Sequence, residues 1–207
     1  MSISPVSIIT VGAFEVNSIV LYDAKNHICY IIDPGGDADK ILHYLPPLQS
    51  YDKIRILLTH AHFDHISALK NILDITHSNE IYLHPNDSDL FLSPDNQFLP
   101  YYPYIPDLPV PNWPLPENDF ISPLHTPGHS QGSCSFVVPS LKTVFSGDTL
   151  FYNSIGRTDL YGGDFATLIK SIKEQLFSLP DDFRVIPGHG PETSIAFEKQ
   201  HNPYLHS

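Results

Sequence analysis

The stretch Thr59-His60-Ala61-His62-Phe63-Asp64-His65, "THAHFDH", follows directly on the apolar run "IRILL" of residues 54–58. It places three histidines and an aspartate within six positions at the end of a segment that reads as a buried strand. In an extended chain residues i and i+2 face the same side, so His60 and His62 can reach one ion together. Asp64 and His65 fall where the pattern turns helical, with Ile66, Leu69, Ile72 and Leu73 at helical spacing, and can face a second ion. For any one of these histidines the ordinary alternative is a hydrogen-bonded surface or core side chain. As a cluster they point to a metal, because imidazoles packed this closely depress one another's pKa unless a cation shares them.

Working outward, three later segments repeat the same order of apolar strand, then loop with His or Asp. "HTPGHSQGS" puts His129 in a Pro-Gly loop. "FSGDTLF" puts Asp148 at the end of an apolar strand, where a lone buried carboxylate would be costly. "VIPGHGP" puts His189 in a glycine-flanked turn. Ligands brought to strand ends in this way converge on one edge of a β scaffold, where catalytic groups tend to sit. Imidazoles with carboxylates suit zinc, and also iron or manganese.

The remaining text reads as alternating strands and helices. "VSIITV", "NSIVLYD" and "HICYIID" are strands, the last ending at Pro34-Gly35-Gly36; a helix runs from about Ala38 to Pro46, and "KIRILL" and "EIYLHP" are strands. One helix is expected from Asp64 or His65 to His77. "SCSFVV", "KTVFSGD" and "FRVIPGHG" are strands, "DFATLIKSIKEQLFSL" is a helix capped by Asp164 and stopped by Pro180, and "FEKQHNPYL" is a short final helix. Strand pairs followed by a helix in each half suggest an α/β (α+β) architecture of two mixed sheets with helices outside, in one domain over residues 1–207. Residues 93–123 are dense in proline and aromatics. They form either an irregular excursion packed by its own side chains, or an active-site rim or oligomer contact.

With 207 residues, 42% hydrophobic and 16% charged, the chain can bury a sizeable core. Its 11 basic against 23 acidic residues give −12, which argues against nucleic-acid or anionic-membrane partners. No signal peptide or spanning segment is visible at the start. Cys29 and Cys134 read as reduced core residues of a cytoplasmic protein. Among partners these counts leave a small molecule and a homo-oligomer open.

On His60, His62, Asp64 and His65 in the order H-x-H-x-D-H, with His129 in "TPGHS", Asp148 in "SGDTLF" and His189 in "PGHG", the sequence resembles the metallo-β-lactamase-fold hydrolases. "NSIGRTDL" and "EKQHNPYL" make it similar to the glyoxalase II (hydroxyacylglutathione hydrolase) branch, especially its short members. The resemblance implies the αβ/βα four-layer sandwich and a binuclear metal-dependent thioesterase acting on S-(2-hydroxyacyl)glutathione or a related thioester. It assigns one metal, zinc in the first instance, to His60, His62 and His129, and another to Asp64, His65 and His189, with Asp148 as bridge. Asp64 also orients the attacking water. Asp33 in "IDPGG" falls at the family's early acidic position supporting the ligand loops, or simply caps its turn. Arg157 in "GRTDL" either holds a substrate carboxylate or pairs with Asp159. His84 and His125 are read as structural, and His201 and His206 as tail residues. A persulfide dioxygenase with a single iron is the alternative within the same fold. The longer glyoxalase II enzymes carry a helical C-terminal domain that supplies much of their glutathione site. No counterpart is seen after His189, so the metal chemistry is implied more firmly than glutathione recognition.

Overall fold

The computed structural model describes residues 6–205 and divides into two compact units. The first runs to Leu83 and resumes over Ser88–Trp113; the second comprises His84–Asp87 and the chain from Pro114 onward.

In the first unit, β1 (Val6–Val11), β2 (Val16–Asp23), β3 (Ile28–Ile32), β4 (Lys53–Leu57) and β5 (Glu80–Tyr82) lie side by side in chain order. The pairs β1–β2 and β2–β3 are antiparallel, and β3–β4 and β4–β5 are parallel. Every residue of β3 is buried, which explains its unbroken apolar run. The helices are α1 (Ala38–His43), α2 (Phe63–Ile66), α3 (Leu69–Thr76) and α4 (Ser88–Leu92). Their Ile41, Ile66, Leu69, Ile72 and Phe91 share one core with Val20, Cys29, Ile31 and Ile56 of the strands.

The single helix expected over 64–77 is two. The Ala68 N–H, which a continuous helix would give to the Asp64 carbonyl, donates instead to Pro34 O at 2.9 Å, and the Ser67 hydroxyl donates to Gly35 O. The Pro34-Gly35 turn thus interrupts the helix just beyond His65. Gly35 is needed there, since a Cβ would lie 2.2 Å from Asp64 O. The early part of the proline-rich excursion belongs to this unit and is pinned to it. The Asn112 N–H donates to Ile81 O (2.7 Å) beside β5, and Phe98 and Tyr102 exchange backbone bonds of 2.7 and 2.8 Å.

In the second unit, β6 (Ser122–His125), β7 (Cys134–Val138), β8 (Thr143–Gly147), β11 (Arg184–Pro187) and β12 (Thr193–Ser194) are ordered β12-β11-β8-β7-β6, with a small hairpin of β9 (Leu150–Phe151) and β10 (Ser154–Ile155). β8 and β11 are parallel and the other pairs antiparallel. Pro123 sits on the edge strand β6, where its missing N–H costs no ladder bond; the excursion therefore ends as a strand. Asp164 caps α5 (Phe165–Glu174) by accepting from Thr167 N at 2.7 Å. The α-helical part stops at Glu174, short of the expected Leu179, and a 3-10 turn over Leu176–Ser178 follows. Leu168, Ile172 and Leu176 pack with Val144, Leu150 and Val185. α6 (Ile195–His201) closes the unit. Cys29 and Cys134 are buried free thiols, and burial pushes the Cys29 pKa up to about 12. Among the described residues no helix is long and apolar enough to cross a membrane.

Candidate metal centre

In the first unit the parallel pair β3–β4 delivers Asp33 and the segment Leu58–His65 to one sheet edge, at the carboxyl ends of both strands. Asp33 takes a left-handed backbone, φ 48°, a conformation Asp tolerates. Its carboxylate accepts from Thr59 N (2.7 Å), Thr59 Oγ1 (2.6 Å) and His65 Nδ1 (2.9 Å). Thr59 spends its only hydroxyl proton on Asp33, so its contact with His60 Nδ1 at 3.0 Å has the imidazole donating. Both His60 and His65 therefore carry their proton on Nδ1, which leaves Nε2 as the lone-pair nitrogen, the tautomer a metal ligand needs. The His60 ring centroid lies 4.7 Å from that of His62 and 4.1 Å from that of His65. Asp64 Oδ2 lies 3.8 Å from His65 Nε2. Asp33, His60 and His65 offer donor atoms within 4.8 Å of one another, but Asp33 already accepts three hydrogen bonds and acts as a support.

In the second unit the parallel register of β8 and β11 sets Gly147 opposite Pro187, so that Asp148 and His189 leave the sheet together. The Gly188 N–H donates to Gly147 O at 2.9 Å and fixes that spacing. His129 comes from the loop between β6 and β7. Its Nδ1 donates to the Arg157 carbonyl at 2.8 Å, again leaving Nε2 as the lone-pair nitrogen. Asp148 Oδ2 is 3.6 Å from His129 Nε2 and 3.6 Å from His189 Nε2. Those distances are too long for hydrogen bonds. They match donors that share a cation at bond lengths of about 2.0–2.2 Å, with one carboxylate oxygen serving two histidines. The donor set fits divalent metal ions.

The Arg157 guanidinium forms a two-pronged pair with Asp159 (2.7 and 2.8 Å), and the side chain is 62% exposed. That pairing pulls the Asp159 pKa down to about 2. His84 and His125 stack at 4.0 Å, 7° from parallel, and His201 Nδ1 donates to Phe197 O at 3.0 Å. His206 lies outside the described residues.

Several supporting residues escape a reading of the sequence. Asp87, buried, accepts from Ser130 Oγ (2.8 Å) and Gly132 N (2.6 Å), bracing the loop that carries His129. It follows a strand end, as the ligands do, but nothing in the text shows what it meets. Asn96 donates to Ala61 O (2.7 Å), between His60 and His62. Glu198, fully buried, accepts from Thr193 Oγ1 (2.6 Å), Asn153 N (3.2 Å) and Asn202 Nδ2 (2.7 Å). Asn202 also reaches Ser154 O (3.0 Å), so "EKQHNPYL" works as a clamp on the β9–β10 hairpin. Gly156 of "NSIGRTDL" is required because a Cβ would lie 1.9 Å from Asp148 O.

Residues 11–189 match the family described as the metallo-beta-lactamase superfamily. The chain is 39% identical to a probable metallo-hydrolase, YqgX, of Bacillus subtilis, over 94% of both chains. It is 36% identical to the hydroxyacylglutathione hydrolase GloC of Haemophilus influenzae, over 98% of both. Among solved structures, the B3 metallo-beta-lactamase BLEG-1 superposes with a TM-score of 0.86 at 38% identity, covering 98% of this chain and all of that one. TTHA1623 in a di-iron-bound form superposes with a TM-score of 0.78 at 36% identity, covering 96% and 100%. With strand-end histidines and aspartates set out as metal donors on two mixed sheets flanked by helices, the chain belongs to the metallo-β-lactamase superfamily, among its metallo-hydrolases.

Proposed function

We infer that this protein is a binuclear metal-dependent thioesterase of the glyoxalase II type. The observation that carries the two-metal reading is Asp148 Oδ2, set 3.6 Å from each of two histidine Nε2 atoms. The thioester assignment is supported by the likeness to a hydroxyacylglutathione hydrolase over nearly the whole of both chains. In this reading His60, His62 and His129 would hold one ion, Asp64, His65 and His189 would hold the other, and Asp148 would be shared by both; zinc is the first expectation, and a di-iron form of a similar structure makes iron the next. When bound, the ions supply Lewis-acid polarisation of the acyl oxygen and bring the acidity of a water toward neutrality.

The chain's own residues do the rest. The Asp64 carboxylate orients the attacking water toward the acyl carbon and takes its proton. A C–O bond forms at that carbon, the C–S bond breaks, the proton held by Asp64 passes to the departing thiolate, and the acyl group leaves as a carboxylate with its remaining proton released to solvent. Asp33, through Thr59 and His65, keeps the imidazoles in one tautomer and one orientation, so no reorganisation accompanies the reaction. The Arg157 guanidinium meets a substrate carboxylate only by giving up Asp159.

Incubation of the metal-loaded protein with S-lactoylglutathione should release free thiol, read with a thiol reagent, at a rate that falls on adding a chelator and returns with metal. A loaded protein that releases no thiol from this or a simpler thioester contradicts the assignment.

A further inference from the structure

Five aromatic rings of the first unit gather beside the metal motif. Phe63 stands in the motif itself, between His62 and Asp64. Its ring stacks on Phe98 (5.9 Å, 17°), and Phe98 stacks in turn on Tyr101 (6.4 Å, 16°), so three nearly parallel rings lead away from the motif. Phe14, from the β1–β2 turn, crosses this row at 6.0 Å from Phe63 and 5.3 Å from Phe98, and Tyr102 closes the back at 5.4 Å from Phe63. These are ordinary offset and edge-on aromatic spacings. The group is fixed in place. Asn96 holds the loop to Ala61 O at 2.7 Å, the Phe14 N–H donates to the Tyr102 hydroxyl at 2.9 Å, and Phe98 and Tyr102 exchange backbone bonds.

Three of the rings nevertheless face solvent: Phe14 is 38% exposed, Phe98 46% and Tyr101 63%. An ordered apolar surface of this kind, mounted on a reactive motif, marks a ligand contact rather than leftover core. Of the charges near the turn, Glu15 follows Phe14, the Asp37 carboxylate accepts the Gly12 N–H at 3.1 Å, and the Lys40 ammonium donates to Thr10 O at 2.7 Å. Asp64 adjoins Phe63. The ring faces themselves carry no charge to meet the carboxylates of a peptide-like thiol carrier. An apolar acyl group finds area without desolvated charge.

We propose that Phe14, Phe63, Phe98, Tyr101 and Tyr102 form the acyl-binding wall of the site and select thioesters of aryl or extended apolar acids over those of small hydroxy acids. This rests on the thioesterase reading and names its substrate class. The rings position the acyl group; they take no part in proton transfer.

The test uses the metal-loaded full chain with two thioesters of one neutral thiol, S-phenylacetyl- and S-acetyl-N-acetylcysteamine. The parent should favour the phenylacetyl ester in kcat/KM by about tenfold or more, the scale on which an apolar pocket discriminates. Phe98→Ala and Tyr101→Ala, both at exposed positions, should each pull the ratio of the two kcat/KM values down severalfold, and together close to one. A ratio that the variants leave unchanged, or a parent without preference, overturns the proposal while leaving the thioesterase reading intact. Calorimetric binding of the thioether S-phenethyl-N-acetylcysteamine separates the other case. Should the parent hydrolyse neither ester, weaker thioether binding in the variants would uphold the wall and refute thioester chemistry. Equal binding in parent and variants would refute the wall.

Discussion

His60, His65 and His129 each give an Nδ1 proton to an oxygen of the chain: Thr59 Oγ1, the Asp33 carboxylate and the Arg157 carbonyl. Each proton so placed fixes which nitrogen can bind a metal. Asp33→Asn keeps the left-handed backbone, which Asn also tolerates, but turns one acceptor into a donor facing Thr59 or His65. Metal affinity, read by competition with a chromophoric chelator, should fall by about 10–100-fold; unchanged affinity would reduce Asp33 to a turn cap. Asp64→Asn is nearly isosteric and should cost about 10²–10⁴-fold in thioester turnover, with the thermal midpoint of the metal-loaded protein little changed. Parental turnover in that variant with both metals bound would remove Asp64 from the proton-transfer role. The ligand candidates were legible because residue type and spacing are local facts: two histidines at i and i+2 after an apolar run need no tertiary information. Asp87 and Asn96 were not legible. Their partners, Ser130, Gly132 and Ala61, lie 35 or more positions away, and no short-range pattern announces such a meeting.

The turn that follows β5 carries His84, and β6 ends at His125. The Asn86 N–H donates to His84 Nδ1 at 3.3 Å, and His125 Nε2 donates to Gln131 O at 3.0 Å. Burial first, and the neighbouring His125 second, depress the His84 pKa from 6.5 to about 4. The folded protein therefore keeps His84 neutral over a range in which the unfolded chain takes up a proton. More protons bound in the unfolded state at lower pH means that this group lowers stability as pH falls from about 6.5 to about 4, and has no effect above that window. His84→Gln should flatten the decline in thermal midpoint across those pH values; a profile identical to the parent's would show that His84 is not the group responsible. At the scale of elements, the five strands of the first sheet and β7, β8 and β11 of the second were readable from β-branched runs bounded by Gly, Pro and Asp. The break between α2 and α3 was not. The apolar spacing Ile66, Leu69, Ile72 and Leu73 is that of one continuous helix, and only the approach of Pro34 and Gly35 takes the Ala68 N–H away from it. Likewise β6 hides in a proline-rich text because an edge strand tolerates Pro123.

Across the whole molecule, alternating strands and helices in each half correspond to two mixed sheets with their own helices, and the fold class follows from that alternation. The point at which the chain passes between units was beyond the sequence. Ser88–Trp113 belongs with the first sheet because Asn112 lies along β5 and the 98–102 turn stands on Phe14 and Phe63, contacts that a run of prolines and tyrosines does not declare. In the proposed centre metal binds to the folded protein alone, so it should stabilise the fold. The central claim is that the seven ligands hold two ions per chain. Elemental analysis of the purified, fully loaded protein is expected to give about two divalent metals per chain, and His189→Ala, which strips a ligand from one shell only, should bring this toward one. One iron per loaded parental chain, with oxygen consumed on turnover of a persulfide, would contradict the binuclear hydrolase and favour the single-iron dioxygenase alternative.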